Sequence, residues 1–419
     1  MRSIRAPLCL VACSLGATSA TGAELSIACG ALGVELELCA EAVAEWEART
    51  GHSVEVVSTP NSATERLALY QQLLAAGAAD IDVFFVDVVW PGILGDHFID
   101  LAPYAQGREA AHFPAIVANN TVDGELKAMP WYTDAGILYY RADLLEKHGK
   151  AVPQSWDELS ETAAAIQEAE RTEGHDGLWG YVFQARPYEG LTCNALEWVF
   201  SHGGGTIVDD SGEITIDNAE AAAALTEAAS WIGTVAPPGV LNYTEEEARG
   251  VFQSGNAVFM RNWPYAWALA QSEDSPVRGL VGVAPLPSGP GGTPTGTLGG
   301  WNLAVSKYSD VPEVAADLVM FLTSPEEQKR RAIVAAYNPT IPALYEDPEV
   351  LAAVPFLGEL YGTIANAVAR PSRVTGDDYN RVSAAFWGAV HDVLSGEGEA
   401  EAALAALARE LASIRRRGW

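Results

Sequence analysis

Between Leu25 and Asp87 the chain alternates short apolar runs with longer amphipathic stretches, and this alternation restricts the fold more than any other feature. Leu25 to Ala28 reads as a strand, and a Gly-Ala-Leu-Gly turn leads into a helix from about Val34 to Arg49. Val54 to Ser58 is a second strand. Ser62-Ala-Thr-Glu65 has the pattern of a capping box and opens a helix through Leu67, Leu69, Tyr70, Leu73 and Leu74. Ile81-Asp-Val-Phe-Phe-Val86 is a buried strand ending at Asp87. Strands that alternate with helices in this way form a mostly parallel sheet with helices on its faces. The expected class is therefore α/β.

At 419 residues the chain exceeds one typical domain core, so two lobes are expected. The stretch Met129 to Arg141 fits a crossing between them. Trp131, Tyr132 and Asp134 follow a proline, Ala135 and Gly136 are small enough to let the backbone bend, and Ile137 to Tyr140 is a short buried strand. Further on, the pattern predicts strands over 178–183, 257–260 and 301–306 and a hairpin over 206–216. Helices are expected over 192–200, 219–232, 244–253, 312–322, 325–335 and 349–368, with a last pair over 377–411. Arg415 to Arg417 reads as a solvated tail.

The chain carries 25 basic and 55 acidic residues, a net charge of -30, which argues against nucleic acid or an anionic membrane as partner. Arg2 and Arg5 precede an apolar run from Ala6 to Leu15 that is too short to span a bilayer. Residues 1–23 are thus a secretion signal with Thr21-Gly-Ala23 as its cleavage site. The rival is lipid anchoring at Cys13 in Leu10-Val-Ala-Cys13, and the short apolar run before Cys13 favours simple secretion to a periplasmic or extracellular space. An exported chain sits in an oxidising compartment, where Cys29 and Cys39 are close enough in sequence to pair, leaving Cys193 as a small buried residue.

Motifs of catalysis are missing. There is no G-x-S-x-G elbow, no phosphate-cradling glycine loop and no C-x-x-C, and the seven histidines never pair at metal-ligand spacing. His202-Gly-Gly-Gly205 without a nucleophile elbow is a turn. No cofactor and no metal are expected. A pair of carboxylates for glycoside hydrolysis keeps a secreted glycoside-acting enzyme as an alternative, because their spacing is spatial. What the chain offers instead is aromatic side chains beside acids at element ends: Asp87 with Trp90; Trp131, Tyr132 and Asp134; Trp263, Tyr265 and Trp267; and Trp301 after Gly299 and Gly300. Flat rings cover the apolar faces of sugars, while carboxylates, amides and guanidinium groups take the hydroxyls.

Five stretches carry a resemblance over essentially the whole mature chain: Asp80 to Trp90, Pro130 to Tyr140, Tyr188 to Asn194, Asn262 to Tyr265 and Leu298 to Trp301. In order and spacing the chain resembles the extracellular sugar-binding proteins of ABC importers, in particular the branch that takes trehalose, maltose, sucrose and related α-glucosides. The resemblance implies a two-lobed periplasmic-binding-protein fold that closes on its ligand by a hinge. Residues 24–136 plus 302–340 would form the N-terminal lobe and 137–299 plus 345–419 the C-terminal lobe, with crossings near 134–137, 298–301 and 338–345. It implies ligand contacts from Glu35, Arg66 and Asp87, from Tyr132 and Asp134 beside the hinge, and from Asn194. Trp263 and Tyr265 would stack on a glucose ring opposite Trp301, with Gly300 close to the sugar and Arg370 reaching into the cleft; Trp90 and Glu189 are secondary candidates. It further implies a monomer, a membrane permease as partner and no catalysis. The same fold binding another oligosaccharide or a polyol is the nearest alternative.

Overall fold

The computed structural model describes residues 22–30, 32–416 and 418–419. The expected leader, with Arg2, Arg5 and the alternative anchor Cys13, lies outside the described residues apart from Gly22 and Ala23. Among the described residues no helix is long and apolar enough to cross a membrane.

Two sheets organise the molecule, as the α/β alternation predicts. The first runs in the order Ser53–Ser58, Glu24–Cys29, Val83–Asp87, Leu298–Val305, Met129–Ala135. Its first three strands are parallel, and Leu298–Val305 pairs antiparallel with both neighbours. Val83–Asp87 is buried throughout because it is central and covered on both faces. The helix Glu35–Thr50 packs on this sheet through Leu38, Ala42, Val43 and Trp46, spaced to share one face. Glu35 and Glu37 in its first turn suit the helix dipole, and Gly51, left-handed at φ 76°, ends it. The second sheet has the order Val281–Ala284, Ile137–Arg141, Ala257–Asn262, Trp179–Val182. Each sheet carries its own buried apolar cluster. In the second, Trp156, Trp198 and Trp231 nest together, with Trp198 edge-on to Trp231 at 5.6 Å.

One residue separates the sheets at the first crossing. Met129–Ala135 belongs to the first sheet, Ile137–Arg141 to the second, and Gly136 joins them. A Cβ on Gly136 would lie 1.9 Å from Glu197 Oε1, and one on Gly296 2.5 Å from the Gly136 carbonyl. Both glycines are therefore required by close approach. The returning chain leaves the second sheet at Ala284 and enters the first at Leu298, so it crosses within 285–297. Beneath these crossings Glu197 Oε1 accepts the Thr297 N–H at 3.0 Å.

Several local expectations need correction. Ser62 caps its helix by accepting from the Glu65 N–H, but the Glu65 carboxylate turns away to Arg186 at 2.9 Å, so the box is half made. The hairpin over 206–216 is present but short: Val208 bridges Ile214 antiparallel, the Thr215 N–H donates to the Ile207 carbonyl at 3.1 Å and the Asp209 N–H to the Glu213 carbonyl at 2.9 Å. The helix over 349–368 is two, Pro348–Ala353 and Phe356–Ala365, because Pro355 at the junction has no N–H to continue the first. Arg415 is no free tail: it ends the helix Ala400–Arg415 and donates to the Gly212 carbonyl at 2.7 Å. Cys29 and Cys39 are joined as a disulfide and Cys193 is a buried thiol. Non-reducing peptide mapping is expected to recover the Cys29 and Cys39 peptides as one linked species; a free Cys29 thiol would contradict the pairing.

Candidate functional site

Asp87 ends the central strand of the first sheet, the position where open α/β sheets present ligand sites. Its Oδ1 accepts the Val89 N–H at 3.1 Å and an Arg370 N–H at 2.8 Å. Arg370 donates with its other terminal nitrogen to Glu189 Oε1 at 2.7 Å. Glu189 opens the helix Glu189–Ser201 and also accepts from the Ser383 and Tyr379 hydroxyls. Asp87 stands on the first lobe and Glu189 on the second, so one buried guanidinium ties them. The Glu189 N–H, donated to Thr64 Oγ1 at 3.1 Å, and the Arg186–Glu65 pair tie them again at the rim.

Between the lobes lies a narrow cavity of about 50 Å³. Pockets that hold small molecules run to about 300–1,000 Å³, so a ligand of several rings would need the lobes further apart. Glu35 reaches the cavity from the start of its helix. Its Oε2 accepts the Leu32 N–H at 3.0 Å, and its Oε1 accepts the Tyr132 hydroxyl. Burial pushes its carboxyl above the usual range, against the pull of Arg66. Asp134 is 7% exposed, and its Oδ1 has no hydrogen-bond partner. Burial, and then the Glu35 charge, hold its carboxyl well above the usual range, with Arg261 and Arg331 opposing.

Two tryptophans make opposite walls. Trp301 lies flat on Phe85, ring centroids 4.0 Å apart, with Trp90 edge-on behind it at 5.3 Å. Gly300, at φ 123°, could carry no side chain, because a Cβ would lie 2.6 Å from the Tyr132 carbonyl. From the other lobe Trp263 donates its indole N–H to Glu245 Oε1 at 3.3 Å. A Cβ on Gly299 would come within 3.0 Å of the Trp263 ring and 3.2 Å of the Asp134 Cβ, so the two side chains flank the same glycine. Tyr265 lines the same cavity and donates its hydroxyl to Glu246 at 2.7 Å.

Of the residues expected at the site, Glu35, Asp87, Tyr132, Asp134, Trp263, Tyr265, Gly300, Trp301 and Arg370 border this one cavity. Two expected residues do not. Asn194 is fully buried inside its helix, donating to the Gly190 carbonyl at 2.8 Å and to Gln184 at 3.1 Å. Arg66 is equally buried and donates to the Pro60 carbonyl from Nε and Nη2, at 3.1 and 2.7 Å. It stacks behind Trp301 at 4.6 Å, and the cation beside Asp87 is Arg370. Trp90 is likewise a rear support. Glu245, Tyr188 and Tyr337 line the cavity without having been expected. Glu245 sits in an acidic first turn after Thr244, a pattern with a sufficient local explanation in helix capping. Tyr188 precedes Glu189 in a stretch already singled out, and that adjacency was the one available signal.

The model of the bacterial extracellular solute-binding protein family matches residues 37–329. The "Probable ABC transporter-binding protein" of Deinococcus radiodurans is 52% identical over 421 residues, covering 100% of both chains. The mannitol-binding protein of Pseudomonas aeruginosa is 25% identical over 58% of this chain and 56% of its own. Among solved structures, maltose-bound MalE3 of T. maritima superposes with a TM-score of 0.89 at 42% identity, covering 94% of this chain and 100% of that one.

Proposed function

The chain belongs to the bacterial extracellular solute-binding protein family, whose members bind solutes rather than transform them, and from that premise we propose that it captures an α-glucoside, a disaccharide or short gluco-oligosaccharide, for an ABC importer. The observation that carries this reading is that Trp263 and Trp301 line one cavity with Asp134, whose Oδ1 has no partner, Trp263 and Asp134 both flanking Gly299. Aromatic rings in one cavity with a carboxylate that has an oxygen to offer suit the C–H faces and hydroxyl rim of a pyranose. The maltose held by the 42%-identical MalE3 is consistent with it.

Capture is reversible and involves no bond making. An open molecule takes the sugar on one lobe, and closure lets the other lobe complete the contacts. A ligand favours closure only by the extra contacts it makes there. Each stacked ring adds about 0.5–1.5 kcal/mol beyond burial, and each charge-assisted hydroxyl bond about 1.5–3 kcal/mol. A few of each reach about 8 kcal/mol, a micromolar dissociation constant. The closed shape would then dock on the permease outside the cytoplasm. The mannitol-binding relative supports a second reading, a polyol; a linear polyol has no ring face, so it would use the carboxylates more than Trp263.

A thermal-shift screen over maltose, trehalose, sucrose, mannitol and ribitol separates the readings. Saturation at about a hundredfold excess over Kd should stabilise the native state by about 2.7 kcal/mol. The α-glucosides are expected to raise the melting temperature most, and a panel without any shift would sink the proposal. In Trp263→Ala, affinity for the best sugar is expected to fall at least about tenfold while the melt stays near wild type, because the ring is only partly buried. Unchanged affinity would make Trp263 a packing residue.

A further inference from the structure

Behind the aromatic walls of the cleft lie three buried arginines. Arg66 stands 4.6 Å from the Trp301 ring, Arg261 3.9 Å from Trp263, and Arg331 4.7 Å from Tyr337 and 5.3 Å from Tyr132. None is more than 1% exposed. Arg66 rests on the Pro60 carbonyl, and Arg261 is held by Glu197, its Nε 2.9 Å from Oε2. Arg331 is different. None of its three guanidinium nitrogens has a hydrogen-bond partner, and ring faces surround it, the nearest being Trp131 at 4.1 Å. A buried cation without a partner is costly, and ring faces offset only part of that cost. The charges it faces are the cleft carboxylates Glu35 and Asp134, beyond Tyr132.

We infer that Arg66, Arg261 and Arg331 are positioning residues for the sugar: seated against the cleft aromatics, they fix the rings and balance Glu35 and Asp134 without bonding them, leaving Asp134 Oδ1 to the ligand. The inference rests on the reading that the cleft takes a sugar. Arg370 shows the contrast, since a guanidinium inside the cleft occupies carboxylate oxygens directly. A guanidinium behind a ring supplies charge without bonding the cleft carboxylates, and Asp134 Oδ1 is indeed without a partner. Glu35 is faced by Arg66, Tyr132, Arg331 and the Leu32 N–H, and Asp134 by Glu35, Asp87, Arg261 and Arg331. The arginines favour the ionised form of each acid and burial opposes it.

The test is calorimetric affinity for maltose, trehalose and sucrose across the acid-to-neutral range, in wild type, Arg331→Met, Arg66→Met and Arg331→Lys. Wild-type affinity is expected to weaken toward acid as Glu35 and Asp134 take up protons. In both Met variants that weakening should begin about one pH unit higher, a roughly tenfold loss on the slope. Arg331→Lys, which keeps the charge and loses the flat stack, should leave the pH profile in place and weaken binding evenly. Met variants that fold and bind with an unmoved profile overturn the inference and leave the sugar reading intact. If one Met variant does not fold, the other decides, because both arginines face Glu35. If neither folds, Arg331→Lys decides, and a moved profile with the charge retained counts against the inference. A wild type that binds none of the three sugars overturns the reading and the inference together.

Discussion

Arg370→Ala is expected to cost about 3–5 kcal/mol of stability and to weaken sugar binding by at least about two orders of magnitude. The side chain is almost fully buried between Asp87 on the first lobe and Glu189 on the second. Removing it strands two carboxylates that the fold has already taken out of water, and that penalty, more than the lost attraction, sets the size of the effect. Glu189 keeps the Ser383 and Tyr379 hydroxyls and Asp87 keeps the Val89 N–H, so the variant should still fold. Arg370→Lys keeps the charge but lacks the fork that reaches both acids at once, and should fall between the two. Urea denaturation read alongside titration calorimetry measures both effects. A variant as stable as wild type would show that the two acids find other partners.

Asp134→Asn is expected to do the opposite to stability and the same to binding. One carboxylate oxygen is buried without a partner, and the group sits well above its ordinary range because burial and the Glu35 charge disfavour ionisation. In the unfolded chain it titrates near 3.8. Between that value and the raised folded one, the native state holds a proton that the unfolded state has lost. Stability therefore falls as pH rises through this window, and the loss is complete above the folded value. Asparagine carries no such term. The variant should melt higher than wild type in mildly alkaline buffer, by an amount on the order of 1–3 kcal/mol, and the gain should vanish in acid. Sugar affinity should drop by about 1.5–3 kcal/mol with the lost charge-assisted bonds. A core residue would lose both properties, so a melt that falls at every pH would remove Asp134 from the cleft.

The framework of the first lobe was legible because its signals are local. The buried run before Asp87 and the cap at Ser62 act within a few residues of themselves. Trp263 was legible because it directly follows a strand, and Trp301 because it follows two glycines, places where a core role needs a special explanation. Depth was not legible. Arg66 and Asn194 lie on the elements that border the cleft, but their side chains point into protein. Arg331 was missed for the same reason: in Gln-Lys-Arg-Arg it looks like part of a solvated face. Its neighbour Arg330 does bond Glu327 and Glu41 at the surface, while a turn of about 100° per residue puts Arg331 among the rings.

The single-residue joint at Gly136 couples two things that look separate. Glu197, which fills the space beside Gly136 and holds the Thr297 backbone, is the same residue that grips Arg261, and Trp263 rides on Arg261. A change in the angle between the lobes would therefore be expected to reach the seat of the stacking ring through Glu197. A sugar that is too bulky for Trp263 to seat would keep the joint ajar, however many hydroxyls it engages. The molecule would then gauge its cargo by angle, so that rank order in binding and rank order in uptake need not agree.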